Sequence, residues 1–327
     1  MTKEQWLVIR KQIPDGAKEP WTVILWIIDL LVLSLAWNLW LSSSTILQGL
    51  ALVLAGFSVL QVYLILHEAL HGAVSDNRSL NNFIGHFSGW LIALPFLVRR
   101  RFHMAHHTWA AHPINDPENK NMIEKFSVMT KKQERRLEFM WKHWIPMIAA
   151  SHFLSNWRAP FVARTQGDSS SRIIKEIRFA RIYLVGYLVM AGVALAFGHL
   201  ADLVVFYLVT WVFLFFMVEL LNLPHHAEAP LLPKDADRLQ YWEQDAVSHD
   251  CKSLPLWSRF IILNFNLHVV HHAFPSVPWY RLSKVHSLLN QQQDSPAASQ
   301  INEWDFAWKN RRRPLLKLMG HFFDRRA

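Results

Sequence analysis

Residues 46–73 read ILQGLALVLAGFSVLQVYLILHEALHGA. From Ile46 to Leu66 there is no charged residue, and about 20 predominantly apolar residues suffice to carry a helix across the hydrocarbon core of a bilayer. The next five, His67-Glu68-Ala69-Leu70-His71, spell HExxH. Residues four apart on a helix lie on the same face, one turn from each other. One uninterrupted stretch therefore predicts a membrane-crossing helix with a pair of imidazoles at its end.

Working upstream, Trp21 to Leu41 is a second apolar run, and the linker Ser42-Ser43-Ser44-Thr45 is short enough to force an antiparallel helical hairpin. The plan recurs downstream with Ile182 to Phe197 and Leu203 to Leu221, joined by Gly198-His199-Leu200-Ala201-Asp202. Four crossings in two hairpins follow. Phe83 to Leu97 is apolar but interrupted by His86, Gly89 and Pro95, and reads as a re-entrant or interfacial segment; Trp144 to Phe153 and Leu256 to Phe265 look similar. Two hairpins return the chain to its starting side. Residues 1–20, the segment from about Arg99 to Arg181 and the C-terminal third then share a face rich in Lys and Arg, including Arg99-Arg100-Arg101 and Arg311-Arg312-Arg313, while the opposite linkers carry none. The excess of positive charge marks that face as cytoplasmic. The reading is an all-α integral membrane protein with a cytoplasmic helical cap, divided into an N-terminal segment 1–20, a catalytic domain 21–285 and a basic C-terminal tail 286–327.

Composition agrees. Hydrophobic residues make up 52% of the chain and charged ones 18%, with 16 Trp and 21 Phe, a balance that favours a lipid environment. The net charge of +9 sits beside apolar spans rather than along a separate domain, so topology accounts for it and no nucleic acid is expected as a partner. The first twenty residues lack the ordered charged, apolar and small-residue regions of a signal peptide. Cys251 is the single cysteine, which excludes an internal disulfide and a thiolate cluster and suits a reducing compartment.

Of 18 histidines, ten fall into four clusters at the cytoplasmic ends of apolar elements: His67 and His71; His103, His106 and His107; His225 and His226; His268, His271 and His272. Each is a small fan of imidazoles. Ionisable groups beside a membrane are costly unless they pair or bind, so their concentration points to metal. A tetrahedral zinc takes at most four ligands, and the surplus argues for two ions. Imidazole suits iron, zinc and copper alike; the pattern itself stops at a dinuclear, imidazole-rich centre. HExxH is also the spelling of zinc proteases, in which Glu68 would be the general base, but that reading leaves eight histidines unused. A metal-storage or transport protein would use them without catalysis.

The wider context is more specific. Residues 99–118, RRRFHMAHHTWAAHPINDPE, and 264–282, NFNLHVVHHAFPSVPWYRL, together with HEALH, resemble the histidine boxes of the membrane fatty acid desaturase and hydroxylase superfamily, and the resemblance runs from about residue 45 to 285. It implies a non-haem di-iron centre in a cap over four transmembrane helices, with an acyl chain in an internal tunnel. By motif, His67, His71, His103, His106, His107, His268, His271 and His272 carry over as iron ligands. The family's extra histidine lies four residues after an asparagine, so Asn222 favours His226, with His225 as neighbour or substitute. Asn222 itself contacts metal through water or caps its helix, Asp116 and Glu118 orient imidazoles or simply form a turn, and Glu68 is at most an outer acceptor. His86, His112, His143, His152 and His249 read as ordinary polar residues.

The resemblance further implies an O2-dependent oxidoreductase acting on a fatty acid or fatty acyl chain, with desaturation first; oxidative decarboxylation of a free fatty acid to a terminal alkene, and hydroxylation of a lipid, alkane or carotenoid, are its alternatives. The first box has three intervening residues where many acyl-CoA desaturases have four, so the box does not select among them. The chain shows neither the HPGG of a fused cytochrome b5 nor a Gly-rich dinucleotide fingerprint. Electrons are therefore expected from a separate ferredoxin, rubredoxin or cytochrome b5-type donor, and in a bacterium the membrane would be the inner one, with both termini and the metal site cytoplasmic.

Overall fold

The run that opens at Thr45 folds as one helix ending at Leu70, so the first histidine of HEALH continues the membrane helix without a break. The computed structural model describes residues 1–13, 17–291 and 301–318. In chain order the helices are α1 (Lys3–Gln12), α2 (Trp21–Trp40), α3 (Thr45–Leu70), α4 (Arg78–Leu91), α5 (Phe96–Thr108), α6 (Pro117–Ser127), α7 (Lys131–Lys142), α8 (Met147–Thr165), α9 (Ser171–Ala196), α10 (Leu200–His226), α11 (His268–Ala273), α12 (Trp279–Gln291), α13 (Glu303–Asn310) and α14 (Leu315–Leu318). A 3-10 turn (Tyr241–Ala246) and a π-helical turn (Trp257–Ile261) lie between α10 and α11. Among the described residues the only extended pairing is a parallel contact of β1 (Cys251–Lys252) with β2 (Ile301–Asn302).

Four helices, α2, α3, α9 and α10, are long and apolar enough to cross a membrane. At a rise of 1.5 Å per residue, the 20 residues of α2 span about 30 Å, the thickness of a hydrocarbon core. The 26 of α3 and 27 of α10 overshoot it by more than a turn. The surplus carries His67 on α3 and His225 and His226 on α10. The sequence bounds 46–66, 182–197 and 203–221 stop where hydropathy falls, whereas backbone hydrogen bonding does not: α9 begins at Ser171, where the Ser170 side chain accepts from the Ile173 N–H, and α10 runs from Leu200 through His226. Apolar side chains on these helices stay uncovered, such as Leu31 at 65%, Leu188 at 72% and Val212 at 58% exposed, as lipid contact requires.

The chain forms two compact units. One is built from Glu19–Arg100 and Ile148–Met217, the other from Met1–Lys18, Arg101–Met147 and Val218–Ala327. In the first, Ser44 caps α3, and Gln48 Nε2 donates to Ser42 O (2.9 Å), which fixes the α2–α3 turn. Gly56 is needed for packing, since a Cβ there would lie 2.9 Å from the Phe213 ring. The stretch Phe83–Leu97 is broken into α4 and α5. Ala93 turns with φ 55°, the Leu94 N–H donates back to Gly89 O (2.7 Å), and Gly89 is required because a Cβ would come within 2.5 Å of Leu94 O. Trp157 Nε1 donates to Ala93 O (2.7 Å) and Tyr183 to His86 O (2.7 Å), anchoring the break to α8 and α9. Trp144–Phe153 likewise splits, with Trp144 at φ 61° before α8 begins, and Leu256–Phe265 winds through the π-helical turn to Leu263 and Asn264, both at positive φ.

In the second unit the described parts of the segment read from sequence as a tail from 286, residues 286–291 and 301–318, include helical and extended structure. Helix α12 runs across residue 285, and β2 aligns Asn302 with Lys252. Arg311 pairs with Glu219 of α10 (2.6 Å), both side chains buried, while its guanidinium lies 3.8 Å from the Trp141 ring centroid. Residues 292–300 and 319–327 of that tail lie outside the described residues.

Candidate metal centre

In this second unit, α5 contributes His103, His106 and His107, the end of α10 contributes His225 and His226, and α11 contributes His268, His271 and His272. All are buried except His226, which is half-buried. Helical spacing turns the rings of each element one way, and their Nε2 atoms meet. His268 Nε2 lies 3.0 Å from His226 Nε2 and 3.1 Å from His272 Nε2. His107 Nε2 lies 3.2 Å from His103 Nε2 and 3.1 Å from His271 Nε2. Candidate ligand nitrogens of His106, His226 and His272 all lie within 4.8 Å of one another.

The opposite ring nitrogens reveal why this arrangement fits a cation. His226 Nδ1 faces Val247 O (3.2 Å) and His225 Nδ1 faces His249 O (2.8 Å). His272 Nδ1 faces Gln244 Oε1 (2.7 Å), and His106 Nδ1 faces Asp116 Oδ2 (2.9 Å). Carbonyl oxygens and an ionised carboxylate only accept, so these Nδ1 atoms carry the protons and donate while Asp116 is ionised. Neutral imidazole has one N–H, which leaves bare Nε2 lone pairs on His106, His226 and His272 pointing at one another. Lone pairs gathered in this way suit a cation, and neutral imidazoles with their other nitrogen anchored are what metal ligation needs.

Burial first, and mutual repulsion second, hold His268 and His272 well below the ordinary histidine range and His271 down to about 3. The same desolvation lowers His286 and pushes Asp116 up, with His106 opposing it, and Asp250 up to about 7. Between pH 6.5 and 4 the unfolded chain binds protons at histidines that the fold keeps neutral. Asp116 and Asp250 act with the opposite sign, since folding favours their acid forms. The four lowered histidines outnumber the two raised carboxyls. Metal-depleted protein in detergent is therefore expected to hold a near-constant denaturation midpoint between about pH 7 and 8 and to lose stability as pH falls toward 4. A midpoint that rises on acidification would contradict the neutral-imidazole assignment.

The remaining sequence candidates are placed as follows. His67 and His71 stand at the end of α3, their ring centroids 5.2 Å apart, with Glu68 buried between them in sequence. Asp116 Oδ1 accepts the Glu118 N–H (3.0 Å) at the start of α6, while its Oδ2 faces His106 Nδ1. Glu118 is half-buried. Asn222 turns its amide back on its own helix, donating to Val218 O (2.8 Å). His225 stacks on His268 at 4.2 Å between centroids and is absent from the group formed by His106, His226 and His272. His112, read as an ordinary polar residue, is buried and accepts from the N–H groups of Ile114 and Asn115, shaping the turn before Asp116.

Sequence reading missed the segment from Gln244 to Asp250. It supplies acceptors to His272, His226 and His225, and Asp250 Oδ1 accepts the Val269 N–H (2.7 Å) in the first turn of α11. Two of those acceptors are backbone carbonyls, which no residue pattern reveals.

The family model "Fatty acid desaturase" matches residues 43–303. The sn-1 oleoyl-lipid 12-desaturase of Arthrospira platensis is 23% identical over 273 residues, covering 78% of this chain and 72% of the relative. The chloroplastic sn-2 acyl-lipid omega-3 desaturase (ferredoxin) of Helianthus annuus is 25% identical, covering 84% and 63%. The endoplasmic reticulum acyl-lipid omega-3 desaturase (cytochrome b5) of Arabidopsis thaliana is 22% identical, covering 68% and 58%. The chain thus spans under two thirds of the length of either plant protein. With its histidine clusters, four membrane-competent helices among the described residues and a family match over most of its 327 residues, the chain belongs to the fatty acid desaturase family, a family of oxidoreductases.

Proposed function

We propose that the protein introduces a double bond into a fatty acyl chain, using O2 and electrons from a separate carrier, at a centre of two iron ions held by its histidines. The observation that carries this reading is the convergence of bare Nε2 atoms from His106, His226 and His272, beside the contacts among His103, His107 and His271, in a chain of this family. Seven rings of one unit offer more donors than a single tetrahedral ion accepts. By motif, His67 and His71 join His103, His106, His107, His226, His268, His271 and His272 as ligands, with His225 as a neighbour.

The chemistry supplied with iron bound is activation of O2 for removal of hydrogen from an unactivated C–H bond. The protein's part is preorganisation. Anchored Nδ1–H groups keep the rings from rotating, so little reorganisation is needed when charge changes at the centre. On α11, Val270 and Ala273 pack into an apolar cluster with Leu267, Phe274 and Val277, which excludes water from behind the ligands. An acyl chain offers nothing polar near the reacting carbon, and apolar walls must select its position. The names of the relatives support an acyl chain carried on a lipid as substrate and a ferredoxin or cytochrome b5 as donor. The Lys and Arg distribution supports a cytoplasmic location for both termini and the centre.

The test is anaerobic loading of purified, metal-depleted protein with Fe(II), then addition of reductant, O2 and free, thioester-linked or lipid-linked fatty acids, with products identified by mass spectrometry. About two irons per chain and a product lacking two hydrogens are expected. Loss of CO2 or gain of oxygen would replace desaturation by decarboxylation or hydroxylation, and one zinc per chain with iron unable to restore activity would sink the reading. Glu68→Gln is expected to keep detectable O2-dependent turnover, slowed by roughly 10–100-fold as outer-shell changes do. Peptide cleavage without O2 by the wild type, lost in that variant with metal retained, would restore the protease meaning of HExxH.

A further inference from the structure

We propose that Gln244 is a positioning residue that decides which nitrogen of His272 faces the metal and ties that ligand to the helix bearing His107; the inference rests on the cluster being a metal centre. Gln244 is 1% exposed and sits in the 3-10 turn. Its Nε2 donates to the backbone carbonyl of His107 (2.7 Å), and its Oε1 faces His272 Nδ1 (2.7 Å).

The orientation of the amide is not a free choice. The His107 carbonyl belongs to the last turn of α5, where carbonyls lack the full set of intrahelical donors, and it can only accept. The amide NH2 must therefore point there, which turns Oε1 toward His272 and requires that Nδ1 carry the proton. His272 is left with its lone pair on Nε2, aimed at His268 and grouped with His106 and His226. Without Gln244, a neutral His272 is free to take the other tautomer and present an N–H where a donor atom is needed.

The turn holding Gln244 is itself secured. The Gln240 N–H donates to Glu243 Oε2 (2.7 Å), Ser248 Oγ donates to Gln244 O (2.7 Å), and Asp245 pairs with the Met1 ammonium. His226 and His225 use backbone carbonyls, which survive any side-chain substitution; the orientation of His272 depends on one replaceable amide.

The experiment compares wild type with Gln244→Leu and Gln244→Glu by Fe(II) retention against a competing chelator and by the absorption spectrum of Co(II)-loaded protein, with helical content and elution volume as folding controls. Gln244→Leu loses both contacts and is expected to weaken Fe(II) retention by roughly 10–100-fold and to change the Co(II) spectrum. Gln244→Glu keeps an acceptor for His272 Nδ1–H and is expected to retain Fe(II) better than the leucine variant. Should Gln244→Leu not fold, Gln244→Asn, one methylene too short to bridge both partners, carries the same expected loss. Leucine or asparagine variants equal to wild type, or a glutamate variant no better than leucine, would overturn the inference while leaving the iron reading intact. A wild type that retains no Fe(II) would overturn both.

Discussion

Alanine at His226 is expected to strip iron and abolish O2-dependent turnover, while alanine at His225 is expected to cost markedly less. Adjacent helical residues point about 100° apart, so both rings do not serve one ion equally. His226 aims its bare Nε2 at His268, 3.0 Å away, and shares the group with His106 and His272. His225 stacks flat on His268 and packs against Phe265, with its Nδ1–H held by His249 O. Its loss removes packing and leaves a carbonyl to find another donor, a disturbance comparable to outer-shell changes of roughly 10–100-fold in metal affinity. Loss of a direct ligand exceeds that. Iron content by elemental analysis, measured beside turnover, checks the split; equal depletion in both variants, or greater depletion at His225, would reverse the assignment.

The second large effect is expected at a buried pair that contains no histidine. Arg311→Met or Glu219→Ala should each destabilise the protein by roughly 3–5 kcal/mol, because removing one member of a buried ion pair leaves the other charge uncompensated. The pair is 2.6 Å apart with both side chains nearly inaccessible, and Arg311 NH1 also donates to Trp141 O (3.2 Å). Replacing both charges by apolar residues of similar size should recover much of the loss, since a buried pair contributes little net stability over a well-packed apolar one. Denaturation midpoints of the two single variants and the double variant in detergent complete the cycle. Single variants as stable as wild type would mean that water reaches the pair.

What the sequence disclosed and withheld follows from the kind of interaction involved. Long apolar runs and histidines at helical spacing are written in residue identity, and they foretold the four membrane-competent helices and the grouping of three rings on each of α5 and α11. Hydropathy ends where a helix leaves lipid, not where its hydrogen bonds end, so the sequence bounds of α3 and α10 fell short of Leu70 and His226. The break between α4 and α5 depends on a left-handed Ala93, a conformation its residue type does not announce. Gln244, Val247 and His249 were hidden because orienting acceptors need only an oxygen at the right point in space.

The patchwork origin of the histidine-bearing unit bears on how it is made. Its clustered histidines begin at His103, yet the segment that secures Glu219 arrives with Arg311. At a synthesis rate of about 5–20 residues per second, the roughly two hundred intervening residues take about 10–40 s to appear. Over that interval the histidines of α5 wait for those of α11, and Glu219 waits for Arg311, so each stands exposed before its partner is made. Such long-separation contacts form slowly and expose sticky surface while they wait. Heterologous production should therefore be limited by events after membrane insertion, and coexpression of a chaperone that shields exposed apolar segments should raise the yield of intact protein more than stronger transcription does.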